Sequence, residues 1–243
     1  IGLVQPNIAL KEKWSGNPQK NFNKLLDLSK KLQEQSNNII VWPESALPAY
    51  FLQSNSHQIS RIYKLLGDST KLVTGTTMFV KDSLNNRVYN SIAYIDNKAK
   101  HNYYNKIQLV PMAEYVPWSN IIPFLSNLNL GQANFSKGDN YKIFEFNETK
   151  FGAVVCYEST FPWIFNNFIQ NGAEFMIVAT NDGWYETAPE PQQHAKQSIF
   201  RAIENRKPVL RCANTGISMI IDQKGNINKK IELNKTGIVS ASI

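Results

Sequence analysis

The sequence predicts an α/β layered fold in one domain, and three observations carry that expectation. Short apolar, β-branched runs recur from end to end. Segments whose apolar residues return every three to four positions lie between them. No Gly/Ser linker, internal repeat or low-complexity tract divides the 243 residues. Strands broken by helices of this kind stack as helices on sheets. A hydrophobic content of 42%, with 12% aromatics, is ample for the core of such a domain.

Element by element, Leu3-Val4-Gln5 reads as the first strand, and residues 21–35 place Phe22, Leu25, Leu26 and Leu32 near helical spacing. Ile39-Ile40-Val41-Trp42 is a second strand, ended by Pro43. A helix over 59–66 precedes strands over 71–80 and 88–95, with Asn85-Asn86 as their hairpin turn. Residues 142–146 and 151–155 form another strand pair around a polar turn. A helix over 162–170, a strand over 174–179 and a helix over 192–205 follow, the last with Ile199, Ala202 and Ile203 on one face. Strands over 209–211, 217–221 and 237–240 complete the chain. Residues 111–139 carry no regular pattern. Irregular segments longer than about 15 residues are functional or disordered. Tyr115, Val116, Trp118, Ile121, Ile122, Phe124 and Leu125 make this one too apolar for disorder. It is either a loop packed on the core or a lid or lipid-facing arm.

Composition narrows the partners. The balance of 26 Lys+Arg against 19 Asp+Glu gives +7, which favours an anionic partner. The basic residues are spread, so no nucleic-acid arm is expected. Two cysteines make no disulfide framework. His57, His101 and His194 have no metal-ligand spacing with either cysteine, so neither a metal nor another cofactor is expected. No stretch approaches the roughly 20 apolar residues of a membrane span. Ile1-Gly2-Leu3-Val4 already reads as strand rather than signal peptide, and no Met starts the chain. The expectation is a domain excised from something longer.

The chemistry gathers at strand ends. Phe151-Gly152-Ala153-Val154-Val155 is a buried-strand pattern that delivers Cys156 to a loop, whereas Cys212, between Arg211 and Ala213, reads as packed strand interior. Glu44 follows the strand ending at Trp42, and Lys106 follows the run from Ile92. A carboxylate, an ammonium and a thiol are a working set for acyl transfer. With a pKa near about 8.5, a cysteine needs a base or a nearby cation. Glu44 could take the thiol proton and return it to the leaving group, and Lys106 could stabilise thiolate and oxyanion.

These residues carry a resemblance. Trp42-Pro43-Glu44-Ser45-Ala46-Leu47-Pro48, Tyr104-Asn105-Lys106, Glu114-Tyr115-Val116-Pro117 and Cys156-Tyr157-Glu158 resemble, in order, the Glu-Lys-Cys signature of the nitrilase (carbon-nitrogen hydrolase) superfamily. Gln5-Pro6-Asn7-Ile8, Lys13-Trp14, Thr180-Asn181-Asp182, Trp184, Gln193-His194 and Arg201-Ala202-Ile203-Glu204 extend it, most closely towards the apolipoprotein N-acyltransferase branch. The resemblance implies a four-layer αββα sandwich over residues 1–243, with Glu44 as base, Lys106 as oxyanion stabiliser and Cys156 as nucleophile. It implies that Glu114 orients Lys106, that Tyr157 and Glu158 support the nucleophile, and that Trp14 lies on the substrate side. It further implies a phospholipid acyl donor, a diacylglyceryl-lipoprotein acceptor and a membrane surface as partners. The setting implied is the periplasmic side of a bacterial inner membrane, with a monomer anchored by helices outside this chain. Pro111-Met112-Ala113 departs from the Phe-Gly usual before the glutamate, and Asp182-Gly183-Trp184-Tyr185 varies the usual pattern.

The nearest rival is a soluble amidase of the same superfamily, with water as acceptor. Glu158, where many soluble amidases have Asp after Cys-Tyr, and the apolar 111–139 stretch tilt against it. A papain-like set of Cys156, His194 and Asn214 has the right residue types but no protease signature around Cys156. His194 is expected to cap or pack on its helix. A non-enzymatic lipid-binding module is the third class.

Overall fold

Both faces of the early strands are apolar, which forces a layer on each side. Along β1 (Gly2–Gln5) and β2 (Ile39–Val41), Leu3, Ile39 and Val41 enter one hydrophobic core, while Val4 and Ile40 enter another. The computed structural model describes residues 1–47, 50–53, 57–81, 86–96, 101–117, 134–184 and 189–242, with the side chains of Trp14 and Ser15 left out. The first sheet adds β3 (Lys71–Lys81), β4 (Asn86–Ile95), β5 (His101–Asn105) and β12 (Gly237–Ser240), in the order β12-β1-β2-β3-β4-β5. The second runs β11-β10-β9-β8-β7-β6, from β6 (Phe144–Phe146), β7 (Thr149–Val155), β8 (Phe175–Thr180), β9 (Val209–Ala213), β10 (Ser218–Ile221) and β11 (Ile227–Ile231). β1, β2 and β3 pair in parallel, as do β7, β8 and β9, with antiparallel strands outside them.

Helices α2 (Pro18–Glu34) and α3 (His57–Leu66) cover the outer face of the first sheet, where Phe22, Leu25, Leu32 and Ile62 meet Ile40, Trp42 and Leu72. Asn17 caps α2 by accepting from the amides of Gln19 and Lys20, and Pro18 occupies the first turn, which lacks intrahelical acceptors anyway. Helices α4 (Pro162–Gln170) and α5 (Glu190–Asn205) pack with the second sheet through Ile164, Phe165, Phe168, Ala195 and Ala202. The four layers of the expected αββα sandwich are thus present. Cys212 is packed, as expected, its thiol 3.3 Å from the carbonyl oxygens of Val4 and Val41.

Three elements escape the sequence patterns. Helix α1 (Leu10–Ser15) is under two turns long, too short for a period to show. β11 is exposed at its first four residues and β5 reads His-Asn-Tyr-Tyr-Asn, so neither has an apolar alternation. Lys106 therefore follows a separate strand, not the run from Ile92. Of the expected turn at Asn85-Asn86, residue 85 lies outside the described residues, whereas Asn86 already opens β4 and pairs with Lys81. The polar turn between β6 and β7 is two residues, Asn147 and Glu148, both at positive φ. Of the 111–139 stretch, 118–133 lies outside the described residues, so the lid expectation falls there. Its flanks are tied inward: the amides of Phe135 and Gly138 donate to the carbonyls of Glu114 and Lys106 at 2.7 and 2.8 Å. Among the described residues no helix is long and apolar enough to cross a membrane.

Candidate active site

The two sheets bring three strand ends together. β2 hands the chain to Glu44, β5 to Lys106 and β7 to Cys156. β3 passes beneath Glu44 at Gly75, where a Cβ would lie 2.5 Å from the Glu44 Cα, so glycine is what allows that approach. Glu44 is buried, with Oε1 accepting from Asn90 Nδ2 at 2.9 Å and Oε2 from the Asn181 amide at 3.0 Å. Asn90 Nδ2 also donates to Glu114 at 2.9 Å, linking the two carboxylates.

Lys106 is 1% exposed and delivers Nζ to both oxygens of Glu114, at 2.9 and 2.7 Å. Burial alone would lower its pKa, but the carboxylates of Glu114 and Glu44 reverse that and raise it above the usual lysine value. Both carboxylates favour its ammonium form. Glu114 is itself held by the Val110 amide at 2.8 Å.

Cys156 opens a short 3₁₀ turn, Cys156–Thr160, at φ 50°, a left-handed conformation that costs a non-glycine residue energy. The side chain is half-buried. Burial pushes its thiol pKa well above the usual value and Glu44 pushes it further, while Lys106 pulls it down. Glu44 and Lys106 thus act on the Cys156 thiol with opposite sign.

Glu158 is fully buried, and protein groups take both of its oxygens. Oε1 accepts from Tyr104 Oη (2.7 Å), the Ile107 amide (2.7 Å) and the Gln108 amide (3.0 Å); Oε2 accepts from the Val155 amide at 2.8 Å. Tyr157 is half-buried, edge-on to Phe161 at 4.9 Å. Trp14 belongs to α1, and its side chain lies outside the described residues.

Sequence reasoning assigned no role to a second polar layer behind the nucleophile. Asp182, buried, accepts from Arg211 Nη2 at 2.9 Å and pairs with His194 Nδ1 at 2.7 Å. His194 Nε2 lies 3.0 Å from Ser159 Oγ and 3.2 Å from the Cys156 carbonyl oxygen. His194 thus belongs to a buried network and does not cap its helix. Asp182 follows a strand end and Arg211 lies in mid-strand, and no spacing joins 182, 194 and 211. Asn214 bonds Ile8 and Asn181, so the papain-like set is not assembled around His194. Ligand atoms of Cys156, Asp182 and His194 lie within 4.8 Å of one another, a proximity that the sequence spacing gave no sign of. Arg211 already neutralises Asp182, which argues against a cation there.

Residues 1–243 match the carbon-nitrogen hydrolase family. An apolipoprotein N-acyltransferase of Geobacter metallireducens is 33% identical over 247 residues, covering 100% of this chain and 47% of that protein. Its namesake in Aquifex aeolicus is 31% identical, covering 98% and 53%. The chain spans about half the length of the curated relatives it matches. Among solved structures, Saccharomyces cerevisiae Nit3, a member of branch 10 of the nitrilase superfamily, superposes with a TM-score of 0.70 at 17% identity, covering 98% of this chain and 86% of that one. An amidase from Nesterenkonia sp. does so at 0.68 and 17%, covering 98% and 87%. Paired sheets, convergent strand ends and a match from the first residue to the last agree: the chain belongs to the carbon-nitrogen hydrolase family.

Proposed function

We propose that this chain is the catalytic domain of an apolipoprotein N-acyltransferase. Glu44 takes the Cys156 thiol proton as the sulfur attacks the ester carbonyl of a phospholipid. Lys106 faces the oxyanion of the tetrahedral intermediate. The C–O bond then breaks, the lysophospholipid oxygen leaves with the proton from Glu44, and a thioester remains on Cys156. The α-amine of a diacylglyceryl-cysteine attacks that thioester, the C–S bond breaks, and Glu44 relays the amine proton to the sulfur. Glu114 orients Lys106, Tyr157 and Glu158 support the nucleophile's turn, and Trp14 lies on the substrate side. The full protein works as a monomer on the periplasmic side of a bacterial inner membrane.

The observation that carries this reading is the convergence of three strand ends: Asn90 ties Glu44 to Glu114, Glu114 holds Lys106, and Glu158 ties the backbone after Lys106 to that before Cys156. The acceptor rests on the relatives: those sharing about a third of their residues with the whole chain are N-acyltransferases, whereas the amidase neighbours share 16–18%. Water as acceptor is accordingly the less supported reading. The test is mass spectrometry of the full-length enzyme incubated with phospholipid. One fatty acyl group on Cys156, absent from Cys156→Ser, is expected. A persistently free thiol would sink the proposal.

A further inference from the structure

Strand β8 is apolar along its whole length except at its last residue, Thr180. Parallel pairing sets Val155 of β7 against Ala179 of β8, so the next step along each chain brings Thr180 beside Cys156. Thr180 is fully buried, and its carbonyl oxygen accepts from the Asn214 amide at 3.1 Å. A hydroxyl buried at that depth costs stability unless it is hydrogen-bonded. Thr180 Oγ1 donates to Asp182 Oδ1 at 3.1 Å.

The Cys156 sulfur is close to the same carboxylate, with ligand atoms of Cys156, Asp182 and His194 within 4.8 Å of one another. Several groups bear on its titration. Burial and Glu44 push the thiol pKa up and Lys106 pulls it down; Asp182 pushes it up again, and a hydrogen bond from Thr180 pulls it down. Lys13 also interacts electrostatically with the sulfur. A hydroxyl has one donor and two acceptor sites. With its proton on Asp182, Thr180 presents a lone pair to a thiol; with its O–H turned, it presents a donor to a thiolate. The turn is a rotation about the Cβ–Oγ1 bond that passes no proton from one group to another. Asp182 meanwhile keeps Arg211 at 2.9 Å and His194 at 2.7 Å.

We propose that Thr180 is a further catalytic residue, whose hydroxyl turns from Asp182 to the Cys156 sulfur whenever that sulfur carries negative charge. The inference rests on the acyl-transfer reading, in which the sulfur is anionic twice: as it attacks the donor ester and as it leaves the thioester. Glu44 repels that charge, and Lys106 is drawn to the oxyanion, so the sulfur gains from a donor of its own. A hydrogen bond to an ionised partner is stronger than the neutral one it replaces. Asp182 is the resting acceptor, and its ion pair with Arg211 offsets its repulsion of the thiolate.

The test uses the full-length enzyme with Thr180→Val, which keeps the β-branched shape without the hydroxyl, and Thr180→Ser, which keeps the hydroxyl. Two rates are read by mass spectrometry of the Cys156 peptide: alkylation by iodoacetamide across a range of pH, and thioester formation from a phospholipid in detergent micelles. A hydrogen bond to a charged group is worth about ten- to a hundredfold in rate. We expect Thr180→Val to slow both reactions by that factor and to move the alkylation profile to higher pH, with Thr180→Ser recovering most of the loss. A packing role alone would leave the alkylation profile in place. Wild-type rates of both reactions in folded Thr180→Val overturn the proposal, and Thr180→Ala, measured alongside, decides in the same way where Thr180→Val does not fold. A wild-type enzyme that is alkylated at Cys156 yet forms no thioester overturns the acyl-transfer reading itself, a distinguishable failure.

Discussion

Asp182→Asn measures the buried charge layer behind the nucleophile. Asp182 and Arg211 both have side chains at 0% exposure and meet at 2.9 Å. Burial opposes the Asp182 charge, but Arg211 and His194 outweigh it and hold the carboxyl at about 2, below the ordinary 3.8. Roughly two units at about 1.4 kcal/mol each give about 2.5 kcal/mol favouring the carboxylate in the folded state. Deleting one partner of a buried pair leaves the other uncompensated and costs about 3–5 kcal/mol. The variant should therefore lose about 2.5–5 kcal/mol, a fall in Tm of roughly 5–20 °C for a domain of this size.

The assay is urea unfolding followed by circular dichroism, at pH 7 and again at pH 3. Because the folded-state pKa lies below the unfolded one, the contribution is fully present above about 4 and is lost as pH falls towards 2. The gap between wild type and Asp182→Asn should narrow accordingly. Adding Arg211→Met to Asp182→Asn should recover much of the loss, since the orphaned guanidinium is gone. A gap under about 0.5 kcal/mol at pH 7, or one that does not change with pH, would refute the electrostatic account.

Glu44→Gln removes a charge that pushes the Cys156 thiol up, so alkylation by iodoacetamide should quicken while thioester formation falls about 10²–10⁴-fold; Lys106→Met should slow both, and mass spectrometry reads each. Glu158→Gln replaces a carboxylate that takes four hydrogen bonds with a group that cannot accept them all. A stability loss of about 2–4 kcal/mol in urea, with slower thioester formation, is expected, and wild-type stability would contradict the scaffold role. Gly75→Ala drives a methyl into the Glu44 backbone, so thioester formation should drop at least tenfold; a fully active variant would show that Glu44 tolerates displacement.

The layered fold was legible because each buried strand advertises itself. Ile39-Ile40-Val41 and Val154-Val155 are apolar on both faces, and the period of Phe22, Leu25 and Leu32 matches a helix that covers one sheet. β11 stayed hidden because four of its five residues face solvent, which leaves nothing for a hydrophobic pattern to record. Glu44, Lys106 and Cys156 could be singled out because each follows a strand, where loops expose side chains. Asn90 could not. It lies inside β4, and only the fold reveals that it bonds Glu44 and Glu114 at once. The same holds for Arg211, a charge in mid-strand that makes sense once Asp182 is seen beneath it.

Glu158 changes what the sequence pattern can be asked to prove. As a neighbour of the nucleophile it seemed to speak for the acceptor, separating an acyltransferase from amidases that carry Asp there. Its geometry assigns it a different task. One oxygen gathers the amides of Ile107 and Gln108, the two residues after Lys106, and the other holds the amide of Val155, the residue before Cys156. A single buried carboxylate thus fixes the backbone after Lys106 relative to the backbone before Cys156, across two sheets. Catalysis by fixed charges depends on such placement before the substrate arrives, because nothing then needs to reorganise. The choice between Glu and Asp at this position is therefore a question of reach within the scaffold. The acceptor must be argued from other groups, because both oxygens of Glu158 are taken up inside the protein.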